Sequence, residues 1–416
     1  MRVLASVYAC SPYDGSERAV GWNWIKELDK YHKITALTSL AYKKDIEDYC
    51  KKNPNVIKNT KFIYIDVPHT SWHVGYRLER LYYILWQKQA TLVAKRLLEE
   101  EQYDLVHHIT YVTCILPTEM YKLNLPFLYG PVSGGENTPK EIKYPMSSRD
   151  KITEIIRSSA QVFFRLTPNF YRTMKGASLI LTTTEETKKI IPLRYQNKVE
   201  VFQSIGLPES VFIHEKKKKT NKIPRFLMAG RMLYWKGFEL GIKAFIKALE
   251  KGARGELVIL GDTEGNSKYE DYRNKLKMLC GDYLNKNITF VSKIEHSQMN
   301  TFYDSFDVLI NCSLRDSGCF IVMEAMSRGL PLIVVNTGGP KVNTTPECAI
   351  KINPAPMKDM IEDIADAIIL LGKNKVLREK MGESARKIAY SEFEMSNKIK
   401  KINCYYEKIL SLKLSN

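Results

Sequence analysis

Short β-branched and aromatic runs alternate with longer amphipathic stretches along this chain, and the alternation halts once before starting again. In the first half the runs are RVLASVY (2–8), KITALTS (33–39), KFIYIDV (61–67), DLVHHI (104–109), FLYGPV (127–132), SLILTTT (178–184) and VEVFQS (199–204). Helical periodicity fills the gaps, most clearly from Arg77 to Leu98. The segment HEKKKKTNKIP (214–224) is charged, lacks apolar residues at its centre and closes on a proline, as linkers do. The runs then resume with RFLMAG (225–230), ELVILGD (256–262), ITFVSK (288–293), DVLINCS (307–313) and LPLIVVN (330–336). Strand–helix alternation implies parallel sheets covered on both faces. The expected class is therefore α/β, with two Rossmann-like, doubly wound parallel-sheet domains at 1–213 and 225–390 joined by the lysine-rich seam.

Length agrees, since 416 residues at roughly 150 per domain make two or three domains. No apolar stretch reaches the ~18 residues of a membrane-spanning helix. The opening MRVLASVYAC runs straight into SPYDGSE and reads as a buried first strand, not a signal peptide. Eight cysteines are scattered without a CxxC pair or a His/Cys cluster, which argues against a zinc site. Reduced core thiols fit a cytoplasmic setting. The net charge is +17, and residues 1–222 carry 34 basic against 23 acidic side chains. Solvated surface lysine explains such an excess, as would a polyanionic partner or an anionic membrane.

In doubly wound domains ligands bind beyond the carboxyl ends of the strands, so the loops there carry the chemistry. After RFLMAG come Arg231, Lys236 and Gly237, the last two at a helix start. Two fixed cations beside free helix N–H groups suit a diphosphate, although a surface Arg and Lys flanking a loop would read the same. After DVLINCS comes RDSGCFIVMEAMSRG, which sets Asp316 and Gly318 in a loop, Glu324 about a turn into a helix, and Gly329 just past its end. Two acids so placed can accept hydrogen bonds from two hydroxyl-rich parts of one ligand. NTGGP (336–340) brings Gly338 and Gly339, which permit close backbone approach or a tight turn. In the first half CSPYDGSERAVGW (10–22) carries Gly15 at its tip, and YGPVSGGENTP (129–139) is a second glycine-rich loop. Neither GxGxxG nor GxxxxGK[ST] occurs there, which removes the dinucleotide fingerprint and the P-loop.

Taken in order, DGSERAVGW, DLVHH, YGPVSGGE, TTTEET, AGRMLYWKG, LRDSGCFIVMEAM and NTGGP resemble the family-4 retaining glycosyltransferases of the GT-B fold over nearly the whole chain. The resemblance implies two domains facing a central cleft, with the first binding acceptor and the second nucleotide-sugar. It also implies that 391–416 form a helix crossing back to the first domain. By resemblance Arg231 and Lys236 would hold the donor diphosphate, Glu324 the ribose and Asp316 the transferred sugar. Ser317, Gly318, Cys319, Phe320, Gly338 and Gly339 would line the donor, and Gly15 would approach the diphosphate from the other side. Gly134, Gly135 and Glu136 would meet the acceptor.

Three departures from the family pattern stand out. Asp316 is one methylene shorter than the usual Glu. Cys319 replaces a small residue, often glycine. His107 and His108 are adjacent where His-x-His is common, which leaves open whether either contacts the sugar. The resemblance implies retention without an obligatory protein nucleophile. With no DxD motif at a strand end, neither a metal nor another cofactor is expected.

The acceptor implied is a saccharide or lipid-linked saccharide in surface polysaccharide assembly. Trp72, Tyr76, Tyr82, Tyr83 and Trp86 interleave with Arg77, Arg80, Lys88, Lys95 and Arg96 along 70–98, and 140–175 is a second basic tract containing Arg165, Tyr171 and Lys175. A basic, aromatic helix can lie on an anionic leaflet, so peripheral association with the inner face of the membrane is expected, against the plainer reading of packed core aromatics. A nucleotide-sugar 2-epimerase on the same fold is the alternative enzyme. Nucleic-acid binding would suit the charge alone but not the order of the motifs.

Overall fold

The computed structural model describes residues 1–67, 79–213, 221–261, 265, 267–292, 294–295 and 298–414. The chain forms two compact units: Met1–Gly135 with Asp150–Gly206 and Met395–Asn416, and Glu136–Arg149 with Leu207–Glu394. Unit 1 thus contains the final helix Met395–Leu414, which packs on the helix Ser16–Leu28. Most of the lysine-rich seam, 214–220, lies outside the described residues.

Unit 1 is built on seven strands: β1 (Arg2–Val7), β2 (Lys33–Ser39), β3 (Thr60–Ile65), β4 (Leu105–Thr110), β5 (Phe127–Val132), β6 (Leu179–Thr182) and β7 (Val199–Val201). Their order is β3-β2-β1-β4-β5-β6-β7, parallel throughout. Unit 2 has β8 (Arg225–Ala229), β9 (Glu256–Leu260), β10 (Ile288–Val291), β11 (Val308–Asn311), β12 (Leu332–Val335) and β13 (Ala349–Ile352). Their order is β10-β9-β8-β11-β12-β13, again parallel. The central strands are buried on both faces because helices cover both, as β4, β5, β11 and β12 show by being buried at every residue. Each sheet changes winding direction once, between β1 and β4 and between β8 and β11, and a crevice opens at such a point.

Strand β13 has no counterpart among the runs read from sequence. Its four residues, AIKI, occupy a sheet edge where two are only half-buried.

The basic aromatic helix, Glu79–Glu100, turns its rings inward, contrary to the expected membrane contact. Tyr82, Tyr83 and Trp86 are all buried; Tyr82 Oη donates to Asp66 at 2.8 Å and Trp86 Nε1 to the Ile65 carbonyl at 3.2 Å. Trp72, Tyr76 and Arg77 lie outside the described residues.

Candidate active site

Adjacency of β8 and β11 brings the two charged loops of unit 2 together. The loop after β8 ends in a single 3₁₀ turn, Tyr234–Lys236, followed by Gly237 in the left-handed region at φ +71°. A Cβ on Gly237 would lie 1.9 Å from the Cys312 carbonyl oxygen, so only glycine lets the turn settle on the end of β11. The Leu314 amide donates to the Trp235 carbonyl at 2.8 Å, and the Arg315 guanidinium sits 4.7 Å from the Trp235 ring centroid. These contacts fix the Lys236 stem, and its ammonium forms a short ion pair with Asp316.

Both side chains of that pair are largely buried, at 19% and 15% exposed. Burial opposes either charge, yet each partner overcomes it for the other. The Asp316 carboxylate raises the Lys236 ammonium above its ordinary value, and Lys236 holds Asp316 below its own. Arg231 is exposed and close enough that its charge acts against that of Lys236. The result is a cationic, solvent-reachable edge beside a neutralised pair.

The Asp316 loop is braced from the next strand. Gly339 donates to the Asp316 carbonyl at 2.6 Å, Thr337 Oγ1 to the Ser313 carbonyl at 3.1 Å, and Asn343 Nδ2 to the Gly318 carbonyl at 2.6 Å. A Cβ on Gly338 would stand 2.2 Å from the Asp316 carbonyl oxygen, and one on Gly339 would stand 2.8 Å from the carbonyl oxygens of Ser317 and Gly318. The glycines of NTGGP therefore seat one loop on another. Cys319 takes φ +64°, a conformation that favours glycine. Its thiol accepts from Asn311 Nδ2 at 3.2 Å and is pushed up to about 12, first by burial and then by the Asp316 charge, so it stays a thiol. Phe320, half-buried, opens the helix Phe320–Ser327. Glu324 lies on that helix, half-buried, and accepts from the buried Tyr303 hydroxyl at 2.7 Å. Glu136, also half-buried, belongs to unit 2.

Unit 1 holds the other expected residues. His107 and His108 are completely buried on β4. His107 bonds Tyr406 Oη and the Gly130 carbonyl, both at 2.7 Å; His108 lies 3.3 Å from Ser6 Oγ and from the Tyr111 carbonyl. Burial pulls them down to about 3 and about 4, so both are neutral at physiological pH. Their partners make them supports of the sheet, and neither side chain reaches the surface. Gly15 is exposed at the start of the helix Ser16–Leu28, and a Cβ there would meet nothing within 4 Å. Gly134 accepts from Gln161 Nε2 at 3.0 Å, while Gly135 donates to Thr187 Oγ1 at 3.1 Å and has no room for a Cβ against the Glu186 carbonyl, 2.4 Å away.

The sequence reading passed over Glu17, which sits in the quoted DGSERAVGW. Its half-buried carboxylate accepts from the Val112 amide just beyond β4, at the unit 1 switch point. Burial pushes it up to about 7; the amide bond pulls the other way and the Glu79 charge adds to the rise. The cue in sequence was an acid one residue inside a helix after a strand, but the partners that tune it are some 60 to 95 positions away.

With this geometry in view, residues 210–388 match the family Glycosyl transferases group 1. Over that stretch, less than half of the chain, it is similar to the group 1 glycosyltransferases. An uncharacterized glycosyltransferase of Methanocaldococcus jannaschii is 28% identical over 227 residues, 54% of each chain. The chain spans about half the length of the curated relatives it matches. The sucrose-phosphate synthase of Thermosynechococcus elongatus superposes at TM-score 0.64 with 15% identity over 99% of both chains. Anabaena HepE in complex with UDP and glucose superposes at 0.60 with 13% identity, over 98% of this chain and 100% of its own. At such identities the structures show the fold, which is GT-B. The pair Lys236–Asp316 and the NTGGP brace all fall inside the stretch matched to the glycosyltransferase family.

Proposed function

We propose that this protein is a retaining glycosyltransferase that moves a sugar from a nucleotide-diphosphate-sugar to a saccharide or lipid-linked saccharide, in the assembly of a bacterial surface polysaccharide or related glycan. The observation that carries the reading is the convergence of Arg231, Lys236 and Asp316 beyond β8 and β11. Departure of a nucleoside diphosphate leaves negative charge on phosphate oxygens and cationic character on the sugar. Arg231, Lys236 and the N-terminus of the helix Phe238–Glu250 supply standing positive potential for the first. Asp316, released from Lys236 as the ammonium turns to phosphate, accepts hydrogen bonds from sugar hydroxyls, and Glu324 does so from ribose. The leaving phosphate takes the acceptor's proton, and the scheme calls on no metal or cofactor. HepE, whose fold this chain shares, was solved with UDP and glucose, which supports a uridine nucleotide as the first donor to try. The setting is cytoplasmic and peripheral on the inner face of the membrane; no helix among the described residues is long and apolar enough to cross a membrane.

The test is a panel of nucleotide-sugars read by thermal shift, followed by anomer analysis of the product. Stabilisation by a nucleoside diphosphate together with retained configuration supports the reading. Donor epimerisation without acceptor would replace it with a 2-epimerase, and protection by single-stranded oligonucleotides alone would end it.

A further inference from the structure

The helix Ser148–Arg165 is amphipathic with its faces exchanged. Gln161 is buried and bonds the Gly134 carbonyl, and the pair Glu154–Arg157, 3.0 Å apart, lies on that same inward side with 15% and 22% of its side chains exposed. On the opposite side Ile152, Ile155, Ile156, Val162, Phe163 and, just past the helix end, Leu166 are between 54% and 69% exposed. Spacings of three and four residues gather Ile152, Ile155 and Ile156 into one cluster and Val162, Phe163 and Leu166 into a second on the same face, with the exposed Ser159 between them, so that the stripe is about 20 Å end to end at the helical rise. A monomer in water rarely leaves so many large apolar side chains uncovered on one face. Here it is left open by a helix whose polar residues point at the protein.

Charge decides what covers it. Arg149 and Lys151 are exposed and flank the stripe at its start; Arg165 is half-buried near its end, and Arg172 and Lys175 are exposed on the next helix, Pro168–Gly176. Residues 140–175 hold eight basic against three acidic side chains. A second copy docked antiparallel on this stripe would face Arg149 and Lys151 with Arg165, Arg172 and Lys175, like charge against like. An anionic lipid surface satisfies both features at once, taking apolar side chains into the headgroup–acyl boundary and pairing the cations with headgroups.

We propose that the outward face of the helix Ser148–Arg165 is the surface by which this protein lies on an anionic membrane. The inference rests on the peripheral-membrane reading above and transfers the contact from the helix Glu79–Glu100, whose rings are buried, to this one.

The experiment is flotation of the full chain with phosphatidylglycerol-rich and with pure phosphatidylcholine vesicles, at low and high salt. The wild type should float with the anionic vesicles and lose binding as salt rises. Ile155→Gln with Phe163→Gln should lower binding roughly tenfold at unchanged circular dichroism. Arg149→Gln with Lys151→Gln should lower it about tenfold or more and flatten the salt dependence. Arg80→Gln with Lys88→Gln should change nothing. Wild-type failure to bind anionic vesicles at low salt would overturn the membrane reading and this inference together. Binding that survives the first two double variants, or falls with the third, would overturn the assignment of the face alone. So would a wild-type dimer in light scattering that Ile155→Gln with Phe163→Gln dissociates, since the stripe would then be an interface between copies.

Discussion

The two sheets reverse their winding at corresponding places, β1 beside β4 and β8 beside β11, yet the chemistry beyond those two points is opposite. Unit 2 holds standing charge there: an exposed Arg231, a largely buried Lys236–Asp316 pair and a loop that neighbouring backbone fixes in place. Unit 1 suppresses charge. The two histidines of β4 are neutral, Tyr8, Tyr83 and Tyr111 crowd together with ring centroids 5.1 to 5.9 Å apart, and Glu17 keeps its proton up to about 7. A diphosphate needs positive potential in place before it arrives, because reorganising charge at the moment of reaction is what raises a barrier. The same winding thus carries two opposite electrostatic settings, and the difference lies in a few loop residues.

The largest expected effect tests the charged side. Lys236→Met should lower turnover by about 2–4 kcal/mol of transition-state stabilisation, with nucleoside diphosphate affinity falling less, as steady-state kinetics and calorimetry would show. An affinity loss equal to the turnover loss would mean that the ammonium serves ground-state binding. The pair itself can be dissected by denaturation of Lys236→Met, Asp316→Asn and the double variant. Each single change strands a partly buried charge or dipole, so the double variant should recover about 1–3 kcal/mol relative to the sum of the singles. Strict additivity would show the pair to be stabilising nothing.

Gly338→Ala sharpens the contrast in rigidity. Its Cβ would meet the Asp316 carbonyl oxygen, and φ there is +50°, so a stability loss of about 2 kcal/mol is expected, with transfer impaired beyond it because Asp316 is displaced. Gly15→Ala in unit 1, with nothing within 4 Å of the added carbon, should be nearly silent in stability.

The smallest effect probes the neutral side. The Glu17 carboxyl is raised from 4.5 to about 7 in the folded protein, so its contribution is fully present below about pH 4.5 and is lost as pH rises through 7. Glu17→Gln removes that loss, and should raise stability relative to wild type at pH 8, on the order of 2 kcal/mol, while changing little at pH 4. A melting-temperature difference independent of pH would sink the claim that burial controls this carboxyl.

How far the sequence reaches follows from how local each signal is. The twelve runs read as strands are all strands, because a buried parallel strand must be an uninterrupted apolar or β-branched run. Strand β13, AIKI, does not stand out because Lys351 interrupts its apolar run at a half-buried sheet edge. In the site, Lys236, Asp316 and Glu324 could be picked out from residue type and loop position. Their relations could not: that Asp316 neutralises Lys236, that Tyr303 fixes Glu324 from 21 residues away, and that Gly338 is small for the sake of the Asp316 carbonyl are contacts between loops distant in sequence. The helix Ser148–Arg165 was legible only as part of a basic tract, for a different reason. Periodicity identifies an amphipathic helix but cannot say which face looks outward.

The final helix sets an order on the birth of the protein. His107 on β4 is bonded by Tyr406, and His32 by Asn403 at 2.8 Å, so each takes one hydrogen-bond partner from a helix translated after the whole of unit 2. Domains commonly mature in the order in which they leave the ribosome. Here the later unit holds all its own strands by residue 352, whereas the earlier one must wait, with His32 and His107 lacking part of their cover, until residues 395–414 return to it. A nascent chain interrupted just after Glu394 would carry a finished second unit and an unfinished first, which is the state a chaperone or a protease would meet.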